Sequence, residues 1–342
     1  MDATADGCPT TAEKVAFLAS GQGFDTRERP VTVIETHMSW VFLGRTVVLK
    51  MKKPVRFPFL DFSTLDRRRS NCEAEVRLNR RLAGDVYDGV VALRRDPAGQ
   101  LSLGCAGEAV EWLVQMRRLP HSELLDERIR TRRLHRGDIV VLADRLARFY
   151  REAPPSTAEG EAYLRHLQVE NVVNRQVLSE PALGVGSARS EDVLDAFDAL
   201  LDRWTPAIRE RIAMGYIVEG HGDLRPGHVC LVNPPLIFDC LEFDRNMRLL
   251  DPYDEVNFLG LECAMLGQGW VRPLLLDEVA RTLGHRPDRR LMAVYGAFRA
   301  ILRARLCLAH LLEETCTEGT RWVGQTKRYL ALAKREIASV SA

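Results

Sequence analysis

The stretch "HGDLRPGH" occupies residues 221–228, and the rest of the chain is best read outward from it. Asp223 follows a glycine, and the apolar run Tyr216 to Val218 leads into it. A tight loop of this kind can present a carboxylate that accepts a hydrogen bond from a substrate hydroxyl and orients it for attack. Alone, His221-Gly222-Asp223 is an ordinary turn. Its sequel carries more: sixteen positions after Asp223, the apolar run Pro235-Leu236-Ile237-Phe238 delivers Asp239 at its C-terminal end. A carboxylate at a strand end, facing another across a hairpin, suits Mg2+, a hard ion that takes one or two carboxylates together with phosphate oxygens.

Phosphate chemistry of this kind also needs a lysine, held in place by a carboxylate. Lys50 ends the run Thr46-Val47-Val48-Leu49, and strand alternation places it on the face opposite Leu49. Glu75 lies on the following helical segment, from which a carboxylate reaches a strand lysine. Lys52 shares the face of Lys50, and Lys53 and Glu73 compete as well, so spacing alone leaves the pair open.

The surrounding segments fall into two textures. Residues 10–19 read as a short helix capped by Thr10 or Thr11 and stopped at Gly21. Val31 to Glu35 and Trp40 to Lys50 read as strands, the second broken by a hairpin turn at Gly44-Arg45. Segment 62–84 carries Val76, Leu78 and Leu82 at roughly helical spacing and stops at Gly84. Segment 89–104 reads as a hairpin turning at Asp96-Pro97-Ala98-Gly99, and 109–119 as a further strand. From Ser122 onward the signals are helical, over 138–152, 159–179, 189–214, 272–283, 288–315 and 319–338. A β-rich island at 228–243, turning at Pro234-Pro235, interrupts them. Such segregation predicts an α+β fold in two parts, not alternating βαβ units. There is no GxxxxGK[ST] loop and no strand–GxGxxG–helix fingerprint, and Gly21-Gln22-Gly23 reads as a helix terminator.

Composition narrows the classes further. The 342 residues are 46% hydrophobic and 28% charged, as in an ordinary globular protein. Lys+Arg (48) and Asp+Glu (47) leave a net charge of +1, which removes the electrostatic argument for a nucleic-acid or membrane-surface partner. Basic runs at Arg67-Arg68-Arg69 and from Arg128 to Arg136 read as solvated helix faces. Eight cysteines without a CxxC pair suggest neither a zinc ribbon nor a disulfide framework. His221, His228 and Cys230 lack an evident fourth ligand for a soft metal. With no basic-then-apolar N-terminus and no 18-residue apolar run, the expected home is a reducing cytoplasm.

The order Lys50, Glu75, HGD (221–223), Asp239 and "LLDPYDEVNFL" (249–259) resembles the aminoglycoside phosphotransferase and choline kinase group, small-molecule kinases of protein-kinase-like fold. "THMSWVFLGRTVVLKMKKPVRFPFLDFSTLDRRRSNCEAEVRLNRRL" (36–82) is similar to a bacterial subgroup known only as aminoglycoside-phosphotransferase-like. Some members of that subgroup carry a further C-terminal P-loop ATPase domain, and with no Walker motif in this chain it is expected to be absent here. The resemblance covers roughly residues 10–315 and implies a small antiparallel β-sheet lobe with one helix (1–118) and a larger, mainly helical lobe (119–342).

The resemblance also implies roles. Asp223 would accept or orient the acceptor hydroxyl, and Asp239 would hold Mg2+ between ATP phosphates. Lys50 would meet the α- and β-phosphates, with Glu75 as its ion-pair partner. Thr36, His37, Met38 and Ser39 would replace a glycine-rich phosphate loop, and Trp112 to Met116, including Val114, would form the adenine hinge. Asp251 and Asp254 would brace the catalytic loop, and Glu242 is a candidate to join the metal shell. The implied partners are a nucleotide and a small hydroxylated substrate. No activation segment closed by an APE-like motif points to a protein acceptor.

The chain departs from the wider pattern at two places. No glycine lies between Glu35 and Gly44, so backbone cradling of phosphate is limited. And His228 stands where the pattern has an asparagine that gives its oxygen to a second metal. An imidazole prefers borderline ions such as Mn2+ to Mg2+. Three arrangements follow: one metal on Asp239 alone, a preference for Mn2+, or a His228 that hydrogen-bonds Asp223 or a phosphate. A fourth is loss of activity, leaving a nucleotide-binding pseudokinase with a regulatory role. The presence of the lysine, the glutamate and both aspartates favours an active enzyme.

Overall fold

The computed structural model describes residues 8–57, 59–104, 106–156, 159–180, 188–312 and 319–341. Two compact units emerge, Met1–Arg128 with Gly227–Asp244, and Ile129–Pro226 with Arg245–Ala342. Residues 119–128 and the 227–244 segment thus belong with the first unit, whereas the sequence reading grouped them with the helical part.

In the first unit a capping box starts helix α1 (Thr11–Ala19): the Thr10 hydroxyl accepts from the Glu13 amide, and the Glu13 carboxylate accepts from the Thr10 amide. Strands β1 (Thr32–Glu35), β2 (Ser39–Leu43) and β3 (Val47–Lys52) follow as a meander. A two-residue-stranded hairpin, β4 (Arg56–Phe57) with β5 (Leu60–Asp61), leads to helix α2 (Leu65–Ala83), whose N-cap is Thr64. Then come β6 (Tyr87–Arg95), β7 (Leu101–Leu103) and β8 (Glu108–Arg117). The six-stranded antiparallel sheet runs β1-β2-β3-β8-β6-β7, so β8 inserts between β3 and β6. Side-chain alternation gives the sheet two covered faces. Leu49 and Met51 of β3 join Leu18, Phe42, Leu93 and Leu113 under α1. Cys72, Val76 and Ala83 of α2 pack on Tyr87 and Val114 on the other face, toward which Lys50 and Lys52 point. Farther along the chain, β10 (Val229–Cys230) and β11 (Leu236–Ile237) form the island's hairpin, and Leu236 and Phe238 pack against the α2 cluster.

Helix α3 (Leu125–Arg130) carries the chain into the second unit, which is helical: α4 (Arg136–Glu152), α5 (Gly160–Leu178), α6 (Ala188–Ala213), α7 (Pro252–Met265), α8 (Val271–Leu283), α9 (Arg289–Ala309) and α10 (Gly319–Ser341). Its core gathers Tyr163, Leu167, Phe197, Ile208, Phe298 and Ile301. One small sheet, β9 (Val218–Glu219) with β12 (Leu249–Leu250), frames the HGD loop. The α+β expectation holds. Helix 288–315 ends earlier than expected, at Ala309 with a single turn beyond it, and 313–315 lie outside the described residues. Among the described residues no helix is long and apolar enough to cross a membrane.

Candidate active site

Helix α2 buries Arg68, Cys72, Glu75, Val76, Asn79, Leu82 and Ala83, a stripe at helical spacing. Three of these are polar, and each has a task. Arg68 grips Glu111 with two hydrogen bonds of 2.7 and 2.9 Å. Glu75 sits one turn below the Asn79 side chain and meets the sheet's lysines. Lys50 Nζ donates to Glu75 Oε1 at 2.9 Å and to Asp239 Oδ1 at 2.8 Å. Lys52 Nζ pairs with Glu75 Oε2 and with Glu242 Oε1. The result is a run of alternating charges, Asp239–Lys50–Glu75–Lys52–Glu242, within the first unit.

Burial and pairing oppose each other along this run. Burial pushes the Asp239 carboxyl up, but Lys50, His228 and Lys52 together hold it well below the usual carboxylate range. Glu75 behaves alike: burial raises it, and Lys50 and Lys52 overcome that and lower it. Burial favours the neutral amine at Lys50, yet Asp239, Glu75 and Glu242 keep it protonated, its pKa well above an ordinary lysine's. Asp239, Glu75 and Lys50 are therefore charged at neutral pH.

Asp239 takes a left-handed backbone, φ 60°, rare for a residue with a Cβ. Two side chains hold it there. Its N–H donates to Tyr87 Oη at 3.2 Å, and the next N–H, of Cys240, donates to Asn79 Oδ1 at 3.0 Å. The Asn79 amide is in turn fixed by donating to the Glu75 carbonyl at 3.0 Å. Lys50 occupies one Asp239 oxygen, while the other lies 3.6 Å from His228 Nε2. The Asp239 side chain is 43% exposed. A partly exposed carboxylate oxygen beside an imidazole nitrogen fits a divalent cation that draws its remaining ligands from phosphate and water. Among the described residues no group of three or more His, Cys, Asp and Glu side chains forms a complete metal cage.

The remaining first-unit candidates sort by their surroundings. The Thr36–Ser39 turn is closed by the Thr36 hydroxyl, which accepts from the Ser39 amide and donates to the Ser39 carbonyl, each at 3.0 Å. Thr36 and His37 are exposed, whereas Ser39 is buried directly across from Lys52. Glu242 is turned to Lys52, with its side chain only 8% exposed, and so faces the lysine rather than joining Asp239. The hinge expected at Trp112–Met116 falls inside β8, where Trp112 pairs with β6 and Leu113–Met116 pair with β3 on one side and β6 on the other. Trp112, Val114 and Met116 present side chains to the α2 cluster beside Leu119, Leu236 and Phe238. The chain leaves the sheet at Arg117–Pro120, which borders a cleft of about 420 Å³ completed by Val232, Asn233, Pro234 and Leu236.

The second unit carries the HGD loop. Gly222 sits at φ 90°, and Gly220 is so close to Glu255 that a Cβ would lie 2.7 Å from Oε2. Glu255 is the brace: it accepts from the His221 amide at 3.0 Å, from the Gly222 amide, and from the Tyr150 hydroxyl at 2.7 Å. Asp251 caps α7 through the Tyr253 amide and pairs with Arg211, and Asp254 takes Arg299 through two bonds of 2.8 Å. Burial raises the Asp254 carboxyl, against the pull of Arg299. Within the loop, the Asp223 amide donates to His221 Nδ1 at 3.3 Å, and Arg225 Nε donates to Asp223 Oδ2 at 2.9 Å. Glu255, Tyr87 and Asn79 escaped the sequence reading. Only Glu255 had a readable signal, its place one residue after Asp254 in the 249–259 motif.

An antiparallel sheet with a lysine–glutamate pair, followed by a helical unit with an HGD loop, defines a fold class: that of choline kinases and aminoglycoside phosphotransferases, the protein-kinase-like fold. A choline/ethanolamine kinase family protein from Mesorhizobium loti superposes with TM-score 0.54 at 15% identity, over 96% of this chain and 98% of that one. The GDP complex of wild-type aminoglycoside 2'-phosphotransferase-IIIa superposes with TM-score 0.53 at 14% identity, over 96% and 99%. In sequence, an uncharacterized protein of Mycobacterium tuberculosis is 32% identical over 292 residues, 82% of this chain and 55% of that protein. An uncharacterized protein of Mycobacterium bovis matches to the same extent, so the chain spans little more than half the length of these curated relatives. No protein-family model matches the chain.

Proposed function

We propose that the chain is an ATP-dependent phosphotransferase that moves the γ-phosphate to a hydroxyl of a small molecule. The observation that carries this reading is Lys50, bound at once to the Glu75 carboxylate and to Asp239. A lysine fixed in this way is ready to meet nucleotide phosphates, and the fold's likeness to a GDP-binding phosphotransferase supports a nucleotide site.

On this reading the first unit handles the nucleotide and the second the acceptor. Lys50 meets the α- and β-phosphates, Glu75 fixes its ammonium, and the Thr36–Ser39 turn covers the phosphates. Asp239 and His228 hold Mg2+ or Mn2+, which when bound neutralises phosphate charge. Asp223 accepts the acceptor's hydroxyl proton or orients that hydroxyl, and Glu255 keeps its loop in place. A cytoplasmic site of action fits the ATP requirement. The alternative, a binding module that has lost its chemistry, is disfavoured because the lysine, the glutamate and both aspartates are present and two of them grip the lysine.

A thermal-shift titration with ATP and Mg2+ or Mn2+, followed by ATP consumption over a panel of hydroxylated metabolites, tests the reading. Binding with turnover on at least one acceptor is expected. Binding without turnover on any of them would favour the module.

A further inference from the structure

Asp223 stands among guanidinium groups of its own unit. Arg225 reaches Asp223 Oδ2 with both Nε and Nη2 at 2.9 Å. On α9, Arg299 gives two bonds to Asp254 and extends Nη1 to within 3.4 Å of the Gly222 carbonyl, one residue before Asp223. Arg303 follows one helical turn later on the same face, which sets it beside the same loop.

Arg303 lies over the Tyr329 ring, its guanidinium carbon 5.6 Å from the ring centroid, and is hydrogen-bonded to that side chain. Glu262 Oε1 lies 3.8 Å from Arg303 Nε, beyond hydrogen-bond length, and that carboxylate accepts the Tyr329 hydroxyl at 2.8 Å. The buried Nε has no acceptor, a condition that native structures rarely leave without a reason. The side chain as a whole is 19% exposed, so the part of the guanidinium beyond the buried Nε is what a solute would meet. Burial disfavours the charge on Arg303, but Glu262, Tyr329 and Asp223 outweigh that and keep it protonated.

We infer that the acceptor carries an acidic group, a carboxylate or a phosphate or sulfate ester, which Arg303 grips while Asp223 handles its hydroxyl. The inference rests on the phosphotransferase reading and names the substrate class for it. A planar guanidinium matches such an oxyanion with two parallel bonds. Glu262 and Tyr329 are positioning residues that hold the guanidinium from behind. Arg225, already on Asp223, adds a second positive charge, so a polyamine acceptor meets like charge at both positions.

Matched probes test this: glycerate against glycerol, gluconate against glucitol, and ethanolamine as the amine. Binding is read by ligand-observed NMR with and without ATP and Mg2+, and turnover by ADP release. The acid of each pair should bind about tenfold more tightly than its neutral partner, the scale of one charge-assisted contact. Arg303→Gln should remove that preference and Arg303→Lys should keep part of it, with the affinity for ATP unchanged. Equal or better binding of the neutral or amine probes to the wild-type chain overturns the inference, as does a preference that survives Arg303→Gln. A fall in ATP affinity in Arg303→Gln would assign the guanidinium to the nucleotide's phosphates, and that too overturns it. An acid preference without any ATP binding would instead sink the phosphotransferase reading and leave the anion site standing.

Discussion

Lys52 shares the Glu75 carboxylate with Lys50: Lys50 takes Oε1 at 2.9 Å and Lys52 takes Oε2. The two lysines differ in what lies on their other side. Lys50 turns to the partly exposed Asp239, whereas Lys52, 1% exposed, turns to Glu242. The first lysine thus faces a partly exposed carboxylate and the second a buried one.

Stability should separate them. Lys52→Met takes the ammonium from the buried Glu242 and leaves Glu75 with Lys50 alone, and breaking a buried pair of this kind costs about 3–5 kcal/mol. Urea unfolding should show that loss. Lys53→Ala, which removes the pair with the exposed Glu35 and the cation–π contact with Trp40, should cost less, about 1 kcal/mol. Lys50→Met should chiefly weaken ATP binding.

Tyr87 and Asn79 hold the backbone of Asp239 and Cys240. Asn79→Ala leaves the buried Cys240 amide without its acceptor, at about 1–3 kcal/mol. Tyr87→Phe removes the acceptor of the Asp239 amide. Both variants should raise the Mg2+ concentration needed for half-maximal ATP turnover. An unchanged Mg2+ requirement in both would show that Asp239 keeps its place without them.

His228 Nε2 lies 3.6 Å from Asp239 Oδ2, a separation that a shared cation would bridge. His228→Asn should lower the ratio of Mn2+-supported to Mg2+-supported turnover, because an amide oxygen is the harder ligand. The same ratio in the variant and the parent would place His228 outside the metal's ligands.

Acid should act on the Lys50 network. Burial raises Glu75 and Asp239, but the lysines bring both below the usual carboxylate range. A carboxyl lowered by folding contributes stability that is fully present above its unfolded value, about pH 4, and is lost as pH falls through its folded value. Unfolding followed from pH 6 downward should therefore show stability declining below about pH 4. Lys50→Met should flatten that decline.

The parts of this arrangement that obey local rules were legible in the sequence. Alternation across Val47–Lys52, the capping residue Thr10, the turn at Asp96–Gly99 and the Pro234-Pro235 hairpin each carry a short-range signal. Helix α7 was not legible: Pro252 to Leu261 are all buried, so no 3.6-residue alternation survives. Its Asp251-Pro252 start was the available clue. Lys50 and Lys52 could not be ranked by spacing, since they share a face, and in the structure both reach Glu75. That β8, which holds Trp112–Met116, is paired on both sides was not legible either, because only the strand order reveals it. Tyr87 and Asn79 act on backbone amides more than a hundred residues away in sequence, and no local pattern announces that.

If Asp223 and Asp239 each carry a part of phosphoryl transfer, the loss of either carboxylate abolishes it. Acceptor-dependent ADP release is measured for the wild-type chain, Asp223→Ala and Asp239→Ala, with circular dichroism confirming that each is folded. Turnover is expected in the wild type and its loss in both variants, with ATP binding retained in Asp223→Ala. Wild-type turnover in either folded variant would contradict it.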